Sequence, residues 1–197
     1  MSKSEKTKAY IIETVAPIFN KNGFSAMSLS KITEATGLTK GAIYGHFTNK
    51  EELAVEAYKF SVRRVLKDMN KKVNEGKTPL EMLLKLAAFY ETYYEYNIQY
   101  GGCPILNIGV DSGHQNTIIA EVVRSYNTRI LDKFSQLVEK GKESGELREE
   151  VNSMQYAKRF FYMVEGAVYM AFIMQDKSYL LDLSATMEQM ILNEMKQ

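Results

Sequence analysis

The sequence predicts an all-α protein, and three observations support this prediction. Apolar residues recur at three- and four-residue intervals along most of the 197 residues, which is the spacing of one helical face. Only three prolines interrupt the chain, and the alternating β-branched runs typical of strands are few. An apolar content of 45% and a charged content of 25% fit a globular protein with a substantial core.

The stretch 28–50, SLSKITEATGLTKGAIYGHFTNK, predicts two short helices joined by a tight turn. Ser28 is a good N-cap for the first helix, and Gly37 supplies the left-handed residue that ends it. Thr39 caps the second helix, predicted over 40–47. Two helices around a glycine turn make the helix-turn-helix pattern, whose second helix enters the major groove of DNA. A surface helical hairpin is the alternative.

The composition of the second helix suits a surface contact better than a core. Gly41 and Gly45 each cost about 1 kcal/mol relative to alanine inside a helix, but they leave nothing that holds the backbone away from a surface. Lys40, Tyr44 and His46 place hydrogen-bond donors and an aromatic edge beside these gaps. We therefore predict that this helix contacts phosphates and base edges of double-stranded DNA.

Two further residues stand where helices begin. Ser28 and Lys50 offer a hydroxyl and an ammonium beside free backbone N–H groups, which together can hold phosphates. The opposite side of the 40–47 helix carries Ile43 and Phe47, which we expect to be buried.

The segment T-G-L-T-K-G-A-I-Y-G-H-F-T-N-K-E-E-L, at 36–53, resembles the DNA-binding signature of the TetR/AcrR family of bacterial repressors. The resemblance is close over about 5–55 and extends to the remaining chain only in helical content and length. It implies that Ser30, Thr39, Gly41 and Ala42 join the DNA-contacting surface. Thr33 and Thr36 stand where the family usually has alanine, a departure that concerns details of packing.

The charge distribution divides the chain in the same way. Residues 1–50 hold seven lysines and three glutamates, a net +4, whereas the remainder is slightly acidic. Chance segregation of charge is the alternative. With a bracing helix over 4–22, we predict a three-helix DNA-binding domain at 1–48. A larger helical ligand-binding and dimerisation domain follows at 49–197, and its 49–74 helix links the two.

The larger domain begins with a helix predicted over 79–100 that is rich in aromatic residues. Four of them share one helical face: Phe89, Tyr93, Tyr96 and Tyr100. This face is either a core stripe or the wall of a pocket for an amphipathic or aromatic small molecule. The resemblance favours the pocket, because family members commonly bind inducers between such helices. We also assign Cys103, Phe160 and Met163 to this predicted pocket.

Further helices are predicted over 104–110, 116–144, 153–175 and 180–195, with a loop at 111–114. The last two carry enough apolar surface to be either core or dimer interface. The resemblance favours a homodimer whose four-helix interface is made from the last two helices of both subunits.

Cys103 is the only cysteine, so the chain forms no internal disulfide. A free cysteine is usually a small buried apolar residue. The alternative is an electrophile-sensing thiol, since the segment GGCPILN is similar to a turn of some family members that have such sensors. No cation is adjacent in sequence to lower the pKa of the thiol, although a helix beginning at Pro104 would favour a thiolate.

Other classes of protein lack support. No nucleophile elbow, phosphate loop or paired-histidine motif is present, and Cys103, Asp111 and His114 are a weak metal pattern. We therefore expect no enzymatic activity, no cofactor and no metal. The polar 1–8 segment is not a signal peptide, and no apolar run approaches about 20 residues, so we expect a cytoplasmic protein without a membrane partner.

The combined expectation is a ligand-responsive transcriptional regulator, a repressor that a small molecule releases from a palindromic operator. Two alternatives stay open at this point. One is a DNA-bound factor that works through protein partners and has no inducer. The other is an enzyme on a helical bundle, which would need a cluster of acids, bases or ligands that the sequence does not show.

Overall fold

The computed structural model describes residues 2–115 and 117–197, with no account of the side chains of 114, 115 and 117. Within these residues the chain is helical, and the only β-pairing is an isolated bridge between Leu147 and Lys196. The all-α prediction is confirmed. The α-helices are α1 (Lys3–Ala26), α2 (Leu29–Thr36), α3 (Lys40–Tyr44), α4 (Lys50–Val73), α5 (Pro79–Phe89), α6 (Tyr93–Ile98), α7 (Pro104–Gln115), α8 (Thr117–Glu143), α9 (Ser153–Met174) and α10 (Ser178–Met190).

The first helix, α1, begins with a capping box and changes direction near its end. The Ser2 hydroxyl accepts a hydrogen bond from the Glu5 N–H, and the Glu5 carboxylate accepts one from the Ser2 N–H. Gly23 has φ 76°, outside the helical region, where the sequence predicts the helix to end. The residues after Gly23 regain helical geometry and lead into α2.

The helix-turn-helix pair forms as predicted. Ser28 caps α2 through the Lys31 N–H, and Thr39 caps α3 by accepting from the Ala42 N–H at 3.2 Å. Gly37 between them has φ 67°, and its N–H donates to the Thr33 carbonyl at 2.9 Å. The second helix is shorter than predicted, since α3 ends at Tyr44 and a turn continues the chain.

The two threonines that depart from the family pattern are accommodated without loss of hydrogen bonds. The Thr36 hydroxyl is buried and donates to the Ile32 carbonyl at 2.8 Å. The Thr33 hydroxyl donates to the Ser30 carbonyl at the same distance. Both side chains therefore satisfy their polar atoms within α2.

The chain forms two compact units. The first contains Met1–Val65 together with Gln99–Arg124, and in it α7 packs along α1. The second contains Leu66–Ile98 and Ser125–Gln197, and in it α10 packs against α9 and α5. The stretch 99–124 thus belongs to the compact unit that also holds the helix-turn-helix.

The long aromatic helix predicted over 79–100 is interrupted. After α5, a 3₁₀ turn over Tyr90–Thr92 precedes α6, which ends at Ile98. Gly101 and Gly102 follow with φ 83° and 96°, left-handed values at which a helix cannot continue. Tyr100 therefore does not continue the helical face of Phe89 and Tyr93.

The segment after this turn is more helical than predicted. Instead of a short helix and a loop at 111–114, α7 runs without a break to Gln115. Asp111 consequently lies on a helix, and the side chain of His114 lies outside the described part of the structure. Among the described residues, no group of three metal-ligating side chains is assembled. None of the described helices is long and apolar enough to cross a membrane.

Candidate nucleic-acid interface

The two sides of α3 differ in burial. Ile43 and Phe47 are 1% and 2% exposed, which confirms the predicted buried side. On the other side Thr39, Lys40, Gly41, Ala42 and Tyr44 are exposed. The apolar side fixes the orientation of the helix, and the polar side is left available for a partner.

The exposed side of α3 combines a cation with an aromatic ring. The ammonium of Lys40 lies 6.0 Å from the centre of the Tyr44 ring. Apart from the chain neighbours and the nearby backbone of α3, no atom of the described residues lies within 4 Å of the position that a Cβ would occupy on Gly41, so the backbone there is open to close approach. The side chain of His46 is half-buried in the turn after α3. The backbone N–H of His46 donates to the Ile43 carbonyl at 3.0 Å.

The start of α2 adds two hydroxyl groups to the same exposed stretch of chain. Ser28 and Ser30 are both exposed, and their Oγ atoms lie 2.7 Å apart. The N-terminus of a helix attracts anions through its free N–H groups and its dipole. Hydroxyls at this end of α2 therefore lie where a phosphate oxygen can be bound.

Lys50 differs from the other predicted DNA contacts. It is half-buried, and its ammonium lies 4.2 Å from the centre of the Phe24 ring. Burial lowers the pKa of Lys50, and the negative charge of Asp111 partly opposes this effect. Its ammonium is therefore partly engaged within the protein, in contrast to the exposed Lys40.

Glu52 also supports this region, and the sequence patterns did not predict its role. The Glu52 carboxylate accepts a hydrogen bond from the Thr48 N–H at 2.6 Å and lies 3.8 Å from the Lys8 ammonium. The hydrogen bond from Thr48 is the main reason that the pKa of Glu52 is lowered. The side-chain oxygen of Asn49 accepts a second hydrogen bond, from the Glu52 N–H at 2.8 Å. The N-x-x-E spacing of a capping box, at 49–52, was the available signal.

Comparison with known proteins agrees with this geometry. The family model described as "Tetracyclin repressor-like, C-terminal domain" matches residues 79–187, more than half of the chain. The chain belongs to the TetR family. The model described as "Bacterial regulatory proteins, tetR family" matches residues 11–57, which include α2 and α3.

Individual relatives extend over nearly the whole chain of this TetR-family protein. It is similar to the uncharacterized HTH-type transcriptional regulator YxaF of Bacillus subtilis, with 24% identity over 92% of this chain and 93% of the relative. A TetR-family regulator from Cytophaga hutchinsonii shares 30% identity at a TM-score of 0.91, covering 100% and 98% of the two chains. One from Chloroflexus aurantiacus shares 29% identity at a TM-score of 0.94, covering 100% and 99%.

Membership of this family establishes the general activity. The protein is a DNA-binding transcription regulator and not an enzyme. The second family model, matched over residues 11–57, covers the helix-turn-helix in the first compact unit.

Three of the predicted ligand-binding residues meet in the second compact unit. Phe89, Tyr93 and Tyr96 line an open groove of about 520 Å³. The rings of Phe89 and Tyr93 meet edge to face with centroids 5.7 Å apart, and the Tyr96 hydroxyl donates to the Asp68 carboxylate. The rest of the lining is mainly charged: Asp68, Lys71, Lys72, Glu75 and Glu95.

The other predicted ligand-binding residues lie elsewhere. Tyr100 and Cys103 belong to the first compact unit, where the guanidinium of Arg64 lies 3.5 Å from the centre of the Tyr100 ring. Cys103 is only 3% exposed. Phe160 is buried in the second unit against Phe134, with ring centroids 5.1 Å apart. Met163 on the same helix is half-buried.

Proposed function

We propose that this TetR-family regulator is a repressor that binds a palindromic operator as a homodimer and is released from it by a small molecule. The observation that supports this most directly is the two-sided α3, with Ile43 and Phe47 buried and Lys40 and Tyr44 exposed. The buried side of such a helix fixes it against the core, and its exposed side presents hydrogen-bond donors to the major groove of DNA. The protein would act in the cytoplasm, where bacterial chromosomal DNA lies.

The proposed DNA contacts follow the exposed stretch around α2 and α3. Lys40, Tyr44 and His46 contact base edges and phosphates, and the chain around them adds Ser28, Ser30, Thr39, Gly41, Ala42 and Lys50. Arginine and lysine contacts to phosphate give affinity, whereas contacts to base edges give sequence preference. Removal of Lys40 should therefore weaken binding to all sequences, and removal of Tyr44 should also change which sequences are preferred.

An exposed apolar face on α9 supports the homodimer. Tyr162, Gly166, Tyr169 and Ile173 follow one another at helical spacing and are all exposed in the protomer. Tyr162 and Ile173 are each 62% exposed. Contiguous apolar patches of this kind usually mark protein–protein contacts. A homodimer has two α3 helices, one for each half-site of a palindromic operator, and such half-sites lie about 34–36 Å apart or a multiple of this.

The groove in the second unit supports a small-molecule effector. Phe89, Tyr93 and Tyr96 provide aromatic surface, and charged side chains surround them. A binding site of this composition suits an amphipathic or aromatic molecule. Binding there would weaken DNA binding only if the ligand binds better to the conformation that has low operator affinity.

Genomic footprinting of the protein would identify its operator, and the neighbouring genes would narrow the class of ligand. Purified protein would then be titrated on that operator with compounds from this class, and Tyr93→Ala would be compared with wild type. A compound should release the wild-type protein and act much more weakly on Tyr93→Ala. A protein that no such compound releases, and that instead recruits a protein partner to its DNA, would contradict the proposal and favour the interaction factor.

A further inference from the structure

Asp111 on α7 contacts the end of α1, far away in sequence, in the stretch after Gly23 that leads into α2 and that we call the α1–α2 junction. Its Oδ2 accepts a hydrogen bond from the Phe24 N–H at 2.7 Å, across 87 residues of chain. We infer that Asp111 is a positioning residue for operator binding, which holds the α1–α2 junction and the start of α4 in the arrangement that presents α3. This inference rests on the DNA-binding role of α3 proposed above.

The backbone at Gly23 is shaped to receive this carboxylate. Gly23 has φ 76°, a value that side chains rarely tolerate. A Cβ at this position would lie 2.8 Å from both Cγ and Oδ1 of Asp111, which is too close for any real contact. The glycine therefore serves two needs at once, the change of chain direction and the close approach of Asp111.

The same carboxylate acts on the first residue of α4. The Lys50 ammonium lies over the Phe24 ring at 4.2 Å, and the charge of Asp111 favours the charged form of this lysine. Asp111 thus accepts a hydrogen bond from a backbone N–H of one segment, and its negative charge acts on the ammonium at the start of another. We call Gly23, Phe24, Lys50 and Asp111 the junction cluster. It contains residues of α1, α4 and α7, and in the sequence α1 and α4 flank the helix-turn-helix pair.

A second set of hydrogen bonds holds the other end of α7 independently. The buried Asn20 donates from Nδ2 to the carbonyls of Tyr100 and Gly102, both at 2.8 Å. Asn107 donates from Nδ2 to the Gly101 carbonyl at 2.8 Å and to the Asn20 carbonyl at 3.1 Å. Because these bonds anchor α7 on α1 without Asp111, loss of Asp111 should loosen the junction cluster and leave the unit folded.

The test compares Asp111→Ala and Asp111→Asn with wild type for affinity to the operator, measured by fluorescence anisotropy over a range of salt concentrations. Asp111→Ala should weaken binding about tenfold, because a smaller fraction of molecules holds the competent arrangement. The slope of log Kd against log salt should fall by no more than about 1, the contribution of the single phosphate contact proposed for Lys50, because Asp111 itself touches no phosphate. Asp111→Asn should recover most of the affinity, since its amide oxygen can still accept from the Phe24 N–H.

Controls separate the possible outcomes. Asp132→Ala, an exposed residue of α8, removes the same charge and should bind like wild type. Wild-type affinity in Asp111→Ala would overturn the inference. If Asp111→Ala fails to fold, Asp111→Asn decides, and an Asn variant that is folded but binds no better than a nonspecific control would also overturn it. Lys40→Ala tests the proposed surface separately, because its failure to change affinity or salt slope would contradict the role of α3 whatever Asp111 does.

Discussion

The ammonium of Lys40 lies 6.0 Å from the centre of the Tyr44 ring, one helical turn farther along α3. Both side chains are exposed, while Ile43 between them is buried. A lysine and an aromatic ring on one exposed helical face form a surface that can contact a phosphate and a base edge together. Neither residue contributes to the core, so each can be removed with little effect on folding.

Lys40→Ala and Tyr44→Ala should each weaken operator binding by roughly 1–3 kcal/mol, about 5- to 150-fold. The free energy of unfolding should change by no more than about 0.5 kcal/mol, as is usual for exposed positions. Anisotropy titration on the operator and thermal unfolding measure the two effects. Lys133→Ala, on the exposed side of α8, is the matched control for loss of one positive charge. Binding equal to wild type in both α3 variants would show that α3 is not the recognition helix.

Local signals predicted the helix-turn-helix well because they act over a few residues. Ser28, Gly37 and Thr39 make the caps and the left-handed turn that their residue types favour, and Ile43 and Phe47 follow helical spacing into the core. All of these signals lie within about twenty residues of one another, so the sequence alone was enough to predict this element. The structure adds only the early end of α3 at Tyr44.

The region around the aromatic helix could not be predicted in the same way. Its break depends on contacts that join distant parts of the chain, such as Asn20 with the Tyr100 and Gly102 carbonyls. A periodic pattern does not contain such contacts, and helical spacing alone placed Tyr100 on the face of Phe89. The same limitation applies to Asp111, which was predicted in a loop and whose contact with Phe24 spans 87 residues.

Gly166→Arg should disrupt the proposed homodimer. Gly166 lies on the exposed face of α9, and apart from its chain neighbours and the nearby backbone of α9 no atom of the described residues lies within 4 Å of the position of its Cβ. The protomer can therefore accept the side chain, whereas a second copy packed on this face would meet a bulky charge. Sedimentation should show a dimer for wild type at micromolar concentration and a monomer for the variant.

Gly166→Ala is the matched control for this experiment. It should keep the dimer and stabilise α9 by up to about 1 kcal/mol, since alanine has the higher helix propensity. A wild-type protein that sediments as a monomer at micromolar concentration would contradict the assembly.

Stability should depend on pH through Glu165 on α9. Burial raises the pKa of the Glu165 carboxyl from 4.5 to about 7. The folded state therefore binds this proton more tightly than the unfolded state. Stability is unaffected by Glu165 below about pH 4.5, falls as the pH rises from 4.5 to 7, and carries the full penalty above pH 7.

Glu165→Gln should therefore be more stable than wild type at pH 8, by up to about 3 kcal/mol, and equally stable near pH 4.5. Chemical denaturation at the two pH values measures this difference. Glu188→Gln, at an exposed position of α10, should show no such pH dependence. A Glu165→Gln variant whose stability relative to wild type is the same at both pH values would rule out the explanation.

Cys103 should be unreactive in the folded protein. Its side chain is 3% exposed, and access to it requires local opening of the structure. If opening costs about 3 kcal/mol, N-ethylmaleimide should label the native protein on the order of 100-fold more slowly than the denatured protein. Operator binding should survive treatment with the reagent. Release of wild type, with Cys103→Ser remaining bound, would instead identify the thiol as an electrophile sensor.

The discontinuous composition of the first compact unit constrains the construction of hybrid regulators. Met1–Val65 and Gln99–Arg124 pack as one body, with Asn20 and Phe24 hydrogen-bonded to the second stretch. A chimera joined near residue 65 would give these groups a foreign α7 as their neighbour. Operator specificity should therefore be exchanged between family members by transferring both stretches together. The first stretch transferred alone would lack Asn107 and Asp111, which form hydrogen bonds with it.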